Sequence, residues 1–520
     1  MPTRKHTTIL LMSIATLLMA IQILFFHGGY FGYDEIWYSK IAASVIQGEF
    51  THFHLYAYRY SMFLPLAMLY KIFGINDFSN FLFNMIQHLI QIYIIVQIIN
   101  KDTFKTKWLA VLYYICMPIV TLYIEKTMPD IVVMTGFTMM LYGYYQNNFQ
   151  LKSNDRAPFL WFIFGAILSF FAKETFLIFY PIFLILAAND VFMRKTNIRF
   201  WKWVMLSLSL FLLLYLLGNY IWFGDPLQRM HTIFSFSYVH DCSYDLQPRS
   251  VLLKRIGYEL WFSFIRNGIL LPLLFLPLLI QGYFDPSYRF LYKIWLGCMI
   301  LANFMTISYS SYVPLCPDPR HFMFAFPIGA IVFAKGFDHL PKNTTLLLWS
   351  ISVSVSMLAV SLIYHFEHTW YLYIPLMIGL VLYFTSKIIL SLVFICIGLL
   401  SMYLVHLKYN HKVNYADQKK LTSYVLDHAN EKTLVVTDPA NVAISGYIQK
   451  FDTTWVRFVD FKEYDTIPKD MYKKSFLILN GMTLTYANQQ WENLPEFVQH
   501  AHETLNVVYK NKSGDVYQIR

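Results

Sequence analysis

Asp34 and Glu35 follow closely on the first long apolar run of the chain, residues 9–26. An ionised pair at the edge of hydrocarbon is costly unless it is solvated, paired or used. A carboxylate there can act as a general base, taking the proton of a weak nucleophile such as a hydroxyl or an amine. If the transferred group departs from a phosphate, the same site needs cations to stabilise the developing charge. Lysine meets that need as a point charge and arginine as a two-pronged donor. The sequence supplies Asp34, Glu35 and Asp130 as acids, and Lys173, Arg320 and Arg59 as cations. These types suit transfer of a sugar from a lipid-borne phosphate, with the lipid tail lying along apolar helices.

The elements that must position these groups are set by composition. Of 520 residues, 57% are hydrophobic and only 14% charged, with a mean hydropathy of +0.44. So few charges cannot cover a water-soluble surface, and the expectation is a polytopic α-helical membrane protein. About thirteen apolar stretches recur, near 9–27, 80–99, 108–124, 130–147, 159–172, 175–192, 202–223, 268–282, 293–310, 322–338, 344–364, 370–386 and 388–407. Arg4 and Lys5 precede the first run, but no small-residue cleavage site follows it, so it is expected to stay as a helix. Residues 61–73 are apolar around Pro65 and suit an interfacial helix in a first loop spanning about 28–79.

Lys and Arg gather in alternate short loops, as in Lys101, Lys105 and Lys107 or Arg194, Lys195 and Arg199. That bias predicts a cytoplasmic N-terminus. Asp34-Glu35, Arg59, Glu125-Lys126, Asp130, Lys173-Glu174, His240-Asp241 and Asp318 to His321 then all fall on the outer face, where they suggest a cavity. The membrane region is expected to span 1–408, and an outer soluble α/β domain 409–520, with strands at 434–437, 454–458, 476–479 and 516–519 and helices at 421–429 and 442–448. The expected location is the cytoplasmic membrane of a bacterium.

The net charge of +10 does not indicate nucleic acid, because the basic residues are spread between apolar spans. The five cysteines lack metal-ligand spacing; Cys116, Cys298 and Cys396 lie in apolar runs, whereas Cys242 and Cys316 fall in polar loops and can pair in an oxidising compartment. The soluble domain carries no Gly-rich nucleotide fingerprint, and the membrane region no internal repeat.

These motifs carry a resemblance. Gly32-Tyr33-Asp34-Glu35-Ile36-Trp37-Tyr38 after the first helix resembles the first-loop motif of GT-C fold glycosyltransferases, the group that includes protein O-mannosyltransferases and the lipid A aminoarabinose transferase. Arg59 with Phe63-Leu64-Pro65-Leu66, Met128-Pro129-Asp130, Ala172-Lys173-Glu174-Thr175, and Pro319-Arg320 running to Pro327 are similar to its later motifs. The resemblance covers most of the membrane region through order and spacing rather than any one motif. It implies a polyprenyl-phosphate-linked sugar donor, an inverting transfer outside the cytoplasm, and a lipid, glycan or protein acceptor. It implies Asp34 as base, Glu35 beside it orienting acceptor or metal, Asp130 as a further acid in the cavity, and Lys173 and Arg320 on the donor phosphate. Arg59 carries over less directly, because Tyr58 and Tyr60 flank it. No cofactor is required; a divalent metal is left open.

Plainer readings stand beside these. Asp34 and Glu35 suit the N-terminus of a helix over 36–46. Lys126 and Lys173 are able to snorkel at an interface, and Arg320 to pair with Asp318. His365 and His368, like His52 and His54, lack a third metal partner. The rival functions are a transporter or flippase for a lipid-linked saccharide, a polymerase or ligase using a pyrophosphate-linked donor, and a non-catalytic scaffold. A transporter places its charges near the bilayer midplane and often shows repeated halves, unlike this chain.

Overall fold

A computed structural model describes residues 4–52, 54–150, 157–194, 196–235, 244, 247–280, 282, 285–306, 312–340, 344–366, 368–410, 415–481, 483 and 495–520. Every one of the thirteen apolar stretches is largely helical. Among the described residues, six helices are long and apolar enough to cross a membrane, or seven if Arg249–Arg266 and Leu271–Ile280, bent by 95°, count as one span. The others are shortened where the chain breaks. Met117-Pro118, for example, divides one expected span into two helices, Phe104–Cys116 and Pro118–Tyr123, because proline opens a helix more readily than it continues one. The chain is an integral membrane protein.

Eight helices carry or support the polar groups: α1 (Arg4–Phe26), α2 (Asp34–Gln47), α3 (Tyr60–Phe73), α4 (Asp77–Ile98), α5 (Phe104–Cys116), α6 (Pro118–Tyr123), α7 (Pro129–Tyr145) and α8 (Ala157–Phe170). The first loop therefore holds two helices, α2 starting at Asp34 itself and α3 running through Pro65. Gly136 and Gly143 of α7 face α8 so closely that a methyl on Gly136 would stand 2.5 Å from the Gly165 carbonyl oxygen. Small residues let two membrane helices touch backbone to backbone. The consequence reaches the chemistry, since this contact brings the end of α8, just before Lys173, beside the start of α7, which carries Asp130.

The soluble domain is a five-stranded mixed sheet with strands β1 (Thr433–Thr437), β2 (Val456–Asp460), β3 (Lys474–Asn480), β4 (Asn506–Lys510) and β5 (Gly514–Gln518), in the order β2-β1-β3-β5-β4. β1 pairs in parallel with β2 and β3, and β5 antiparallel with β3 and β4. Alternation sorts the core: Leu434, Val436 and Leu477 fill one face, Val435, Phe476 and Ile478 the other. The helices Tyr415–His428 and Pro439–Ile448 extend those expected, and β4 is an added edge strand.

Cys316 is disulfide-bonded, and Cys116, Cys298 and Cys396 carry free thiols. His240, Asp241 and Cys242 lie outside the described residues.

Candidate active site

The loop that presents Asp34 is held from below. Glu125, fully buried between α6 and α7, accepts hydrogen bonds from Gln22 Nε2 and Gly28 N, both at 2.8 Å, and faces His27 Nδ1 at 3.1 Å. Its neighbour Lys126 donates to the Gly29 carbonyl and stands 4.8 Å from the Phe31 ring centroid. Lys126 is thus a buried clamp on the first loop rather than a snorkelling residue, being only 3% exposed. Burial lowers its pKa, partly offset by Glu125 and Glu35.

Asp34 and Glu35 face different ways although adjacent. Asp34 borders a cavity of about 1130 Å³, and its Oδ1 accepts a 2.7 Å hydrogen bond from Tyr56 OH. Glu35 is fully buried and turns back on its own loop, accepting from Phe31 N and from Gly32 N, the latter at 3.2 Å. Burial raises the Glu35 pKa, with Lys126 opposing. Side chains one residue apart on a helix diverge by about 100°, so one carboxylate reaches the hollow while the other braces the turn. Glu35 does not border the cavity, and its expected role toward acceptor or metal has no support in this geometry.

Arg320 borders the same cavity as Asp34. It lies in the short turn Pro319–Phe322, capped by Asp318, whose Oδ1 accepts from Arg320 N at 3.0 Å. The Asp318 Oδ2 lies 3.0 Å from Arg320 Nε, so the plainer expectation of an ion pair and a place at the cavity hold together. Burial works against its charge, but Asp130, Asp318 and, more weakly, Asp34 raise the Arg320 pKa.

Behind Arg320 stands a buried triad. Lys173 Nζ lies 2.9 Å from Asp130 Oδ1 and 3.4 Å from His321 Nδ1, and His321 Nδ1 is 3.1 Å from the same carboxylate oxygen. Burial lowers the pKa of Lys173 and of His321. Neither Lys173 nor Asp130 borders the large cavity; Asp130, Arg320 and His321 instead line a small hollow beside it. Lys173 is committed to Asp130, which gives it a positioning geometry rather than the exposed one expected of a phosphate ligand.

Arg59 is placed elsewhere, 3% exposed, donating to Tyr38 OH and to Glu174 Oε2 at 3.1 Å, while Arg229 Nη2 reaches Glu174 Oε1 at 3.0 Å. Its guanidinium lies 5.0 Å from the Tyr56 ring centroid, so it supports the tyrosine that holds Asp34 rather than meeting the cavity. Among the described residues no three His, Cys, Asp or Glu converge as metal ligands.

Tyr56 and Arg266 were not among the residues singled out in the sequence. Tyr56 and Arg266 carry no local signal, being one tyrosine among 39 and one arginine at a helix end. His321 lay inside a motif already singled out. The soluble domain, too, contributes to the cavity wall through Ala440 and Gly481, at the carboxyl ends of β1 and β3.

The whole chain superposes on two solved structures. A crystal structure of ArnT from Cupriavidus metallidurans bound to undecaprenyl phosphate aligns with a TM-score of 0.59 at 11% identity, over 98% of this chain and 97% of that one. The same protein in the apo state aligns with a TM-score of 0.61 at 13% identity, over 99% and 98%. The fold is therefore the GT-C fold of ArnT, soluble domain included. No protein-family model matches the sequence, and no curated protein matches it.

Proposed function

We propose that the chain is an inverting glycosyltransferase that moves a monosaccharide from a polyprenyl-phosphate donor to an acceptor on the extracytoplasmic face of the membrane. One observation carries this reading: Asp34, with a carboxylate oxygen held by Tyr56, and Arg320 border a single cavity of about 1130 Å³. The ArnT fold supports it, as does the undecaprenyl phosphate bound to that protein.

In the reaction, the acceptor O–H or N–H gives its proton to the free oxygen of Asp34 as the acceptor atom bonds to the anomeric carbon. The bond from that carbon to the phosphate oxygen breaks, and its electron pair leaves with the phosphate. Arg320 stabilises the charge that develops there. Asp130, itself paired with Lys173 and His321, favours the charge of Arg320 electrostatically, and Arg59 lies against the Tyr56 ring. Apolar wall residues such as Ile119, Leu122, Phe262 and Met402 suit a prenyl chain.

The test incubates purified protein with a panel of polyprenyl-phosphate sugars and measures release of free lipid phosphate. Asp34→Asn should lower the rate at least about 100-fold, the contribution of a general base, with unfolding temperature unchanged. Full activity in that variant removes Asp34 as the base.

A further inference from the structure

Part of the cavity wall belongs to the soluble domain, and the transfer step leaves it without a role. β1 has β2 on one side and β3 on the other, both parallel to it. The link from β1 to β2 and the link from β2 to β3 pack on opposite faces of the sheet, where Val442 and Phe461 join separate apolar clusters. The crevice outside the carboxyl ends of β1 and β3 is therefore a topological switch point, the place where open α/β sheets receive ligands. Ala440 and Gly481 come from the two sides of that crevice, and both line the cavity that Asp34 and Arg320 border.

Buried side chains fix the two residues in place. Asn441 Nδ2 donates to Asp438 Oδ2 and, at 2.9 Å, to Asn480 Oδ1. Asn480 Nδ2 returns a 2.9 Å bond to Asn441 Oδ1, and Thr483 Oγ1 donates to Asp438 Oδ2 at 2.8 Å. Asp438 also caps the helix Pro439–Ile448, accepting from Asn441 N at 3.0 Å. A buried carboxylate thus already meets the helix end that would otherwise favour an anion. The arginines of the cavity, Arg266 and Arg320, come from the membrane region, and the soluble-domain wall adds no cation among the described residues. Ala440 abuts Gly32, two residues before Asp34. Gly481 does not have a positive φ, and apart from its chain neighbours no described residue stands within 4 Å of where its Cβ would be.

We infer that this crevice holds the acceptor, and that the acceptor group beside Asp34 is an uncharged saccharide whose size Gly481 and Ala440 set. The inference rests on the transferase reading. Small uncharged residues, with the rings of Phe31 and Tyr33 on the adjoining loop, offer contact area without charge. Such a wall suits a neutral, hydroxyl-bearing ring rather than a phosphate. Gly481 leaves room that any side chain would occupy.

Two measurements on full-length protein in detergent test this. In the first, Gly481→Cys is alkylated with N-ethylmaleimide, with wild type as background, in the presence of methyl glycosides of glucose, galactose, mannose or N-acetylglucosamine, or of a peptide containing serine and threonine. At least one glycoside should slow alkylation about threefold at twice its dissociation constant, by simple occupancy, and the peptide should not. In the second, a donor from the release assay is supplied with that glycoside. The ratio of transfer onto the glycoside to hydrolysis by water should fall at least about tenfold in Gly481→Leu, because overfilling a pocket costs that much or more. KM for the glycoside should rise with it, and Gly481→Ala should fall between. If Gly481→Leu does not fold, Gly481→Val and the alkylation measurement carry the test. Protection by the peptide alone overturns the saccharide. Protection by nothing, or a wild-type ratio in folded Gly481→Leu, overturns the crevice as the acceptor site. Protection by a glycoside in a protein that releases no lipid phosphate from any donor supports the saccharide site and removes the transferase reading, so the two failures are read apart.

Discussion

A methyl group on Gly32 would stand 2.6 Å from the carbonyl oxygen of Ala440 and 2.7 Å from its Cα. The loop that presents Asp34 and the soluble domain thus touch backbone to backbone, two residues before the proposed base. Three residues earlier, Gly29 lies as closely under the Tyr415 ring, with a virtual methyl 2.7 Å from Cδ2. Asp77 at the start of α4 fastens the same contact, accepting from Tyr30 OH, Tyr415 OH and Lys419 Nζ, each at 3.0 Å. The soluble domain is a lid on the first loop.

Gly32→Ala should cut the transfer rate at least about tenfold. The residue has φ +81, a region where any side chain adds strain of about 1 kcal/mol or more, and the obstacle is backbone. Adding Ala440→Gly should therefore not restore activity. Gly29→Ala meets a side chain instead, so Tyr415→Ala in the same protein should recover part of its loss. Rates of lipid phosphate release across the four variants decide the matter.

Glu35→Gln should keep transfer within a few-fold of wild type, whereas Asp34→Asn should not. The amide oxygen of glutamine still accepts from Phe31 N and Gly32 N, as the carboxylate does. Glu35→Ala, which leaves two N–H groups without that acceptor, should lower the unfolding temperature and the activity together. Equal loss in Asp34→Asn and Glu35→Gln would show that the two acids share the chemistry.

Lys173→Ala should destabilise the protein by about 3–5 kcal/mol, because it strands the buried Asp130 carboxylate without its 2.9 Å partner. Removing both charges in Asp130→Asn with Lys173→Met should cost much less. A double-mutant cycle on chemical denaturation measures the coupling. A cycle that closes near zero would mean that the pair contributes nothing.

Stability should fall as pH drops below the ordinary histidine value of 6.5. Burial depresses the pKa of His321, and likewise those of His52 and His54 in the first loop. Below 6.5 the unfolded chain binds protons that these folded histidines resist, so acid favours unfolding until the folded values are also passed. His321→Gln should flatten part of that slope in a pH series of unfolding temperatures, and an unchanged slope would exclude His321 as a source.

Helix positions were legible because hydropathy is a local property. The apolar stretches near 9–27, 202–223 and 344–364 correspond to the helices Arg4–Phe26, Ile198–Phe223 and Thr344–Ile363. The buried strands β1 and β3 were legible for the same reason, their apolar runs lying between turn residues. β4 was not, since its residues are mostly exposed and only pairing with β5 makes it a strand. The number of full spans was not legible either, because a break such as Met117-Pro118 changes the length of a helix without changing its hydropathy.

From the order of residues alone came the membrane-embedded class, the soluble domain, and the set of acids and cations gathered at helix ends. Each follows from composition or from neighbours a few positions away. Which of those charges meet was decided by tertiary contact. Lys173 finds Asp130 43 positions away, Arg59 finds Glu174 across 115, and Asp34 reaches Tyr56 across 22. Glu35 and Asp34 are neighbours in sequence and yet point apart, and Arg266 borders the cavity only because distant helices close around it. Sequence states which groups are present near hydrocarbon; burying them is what forces each to take a partner or leaves it open to a ligand, and that choice belongs to the packed helices.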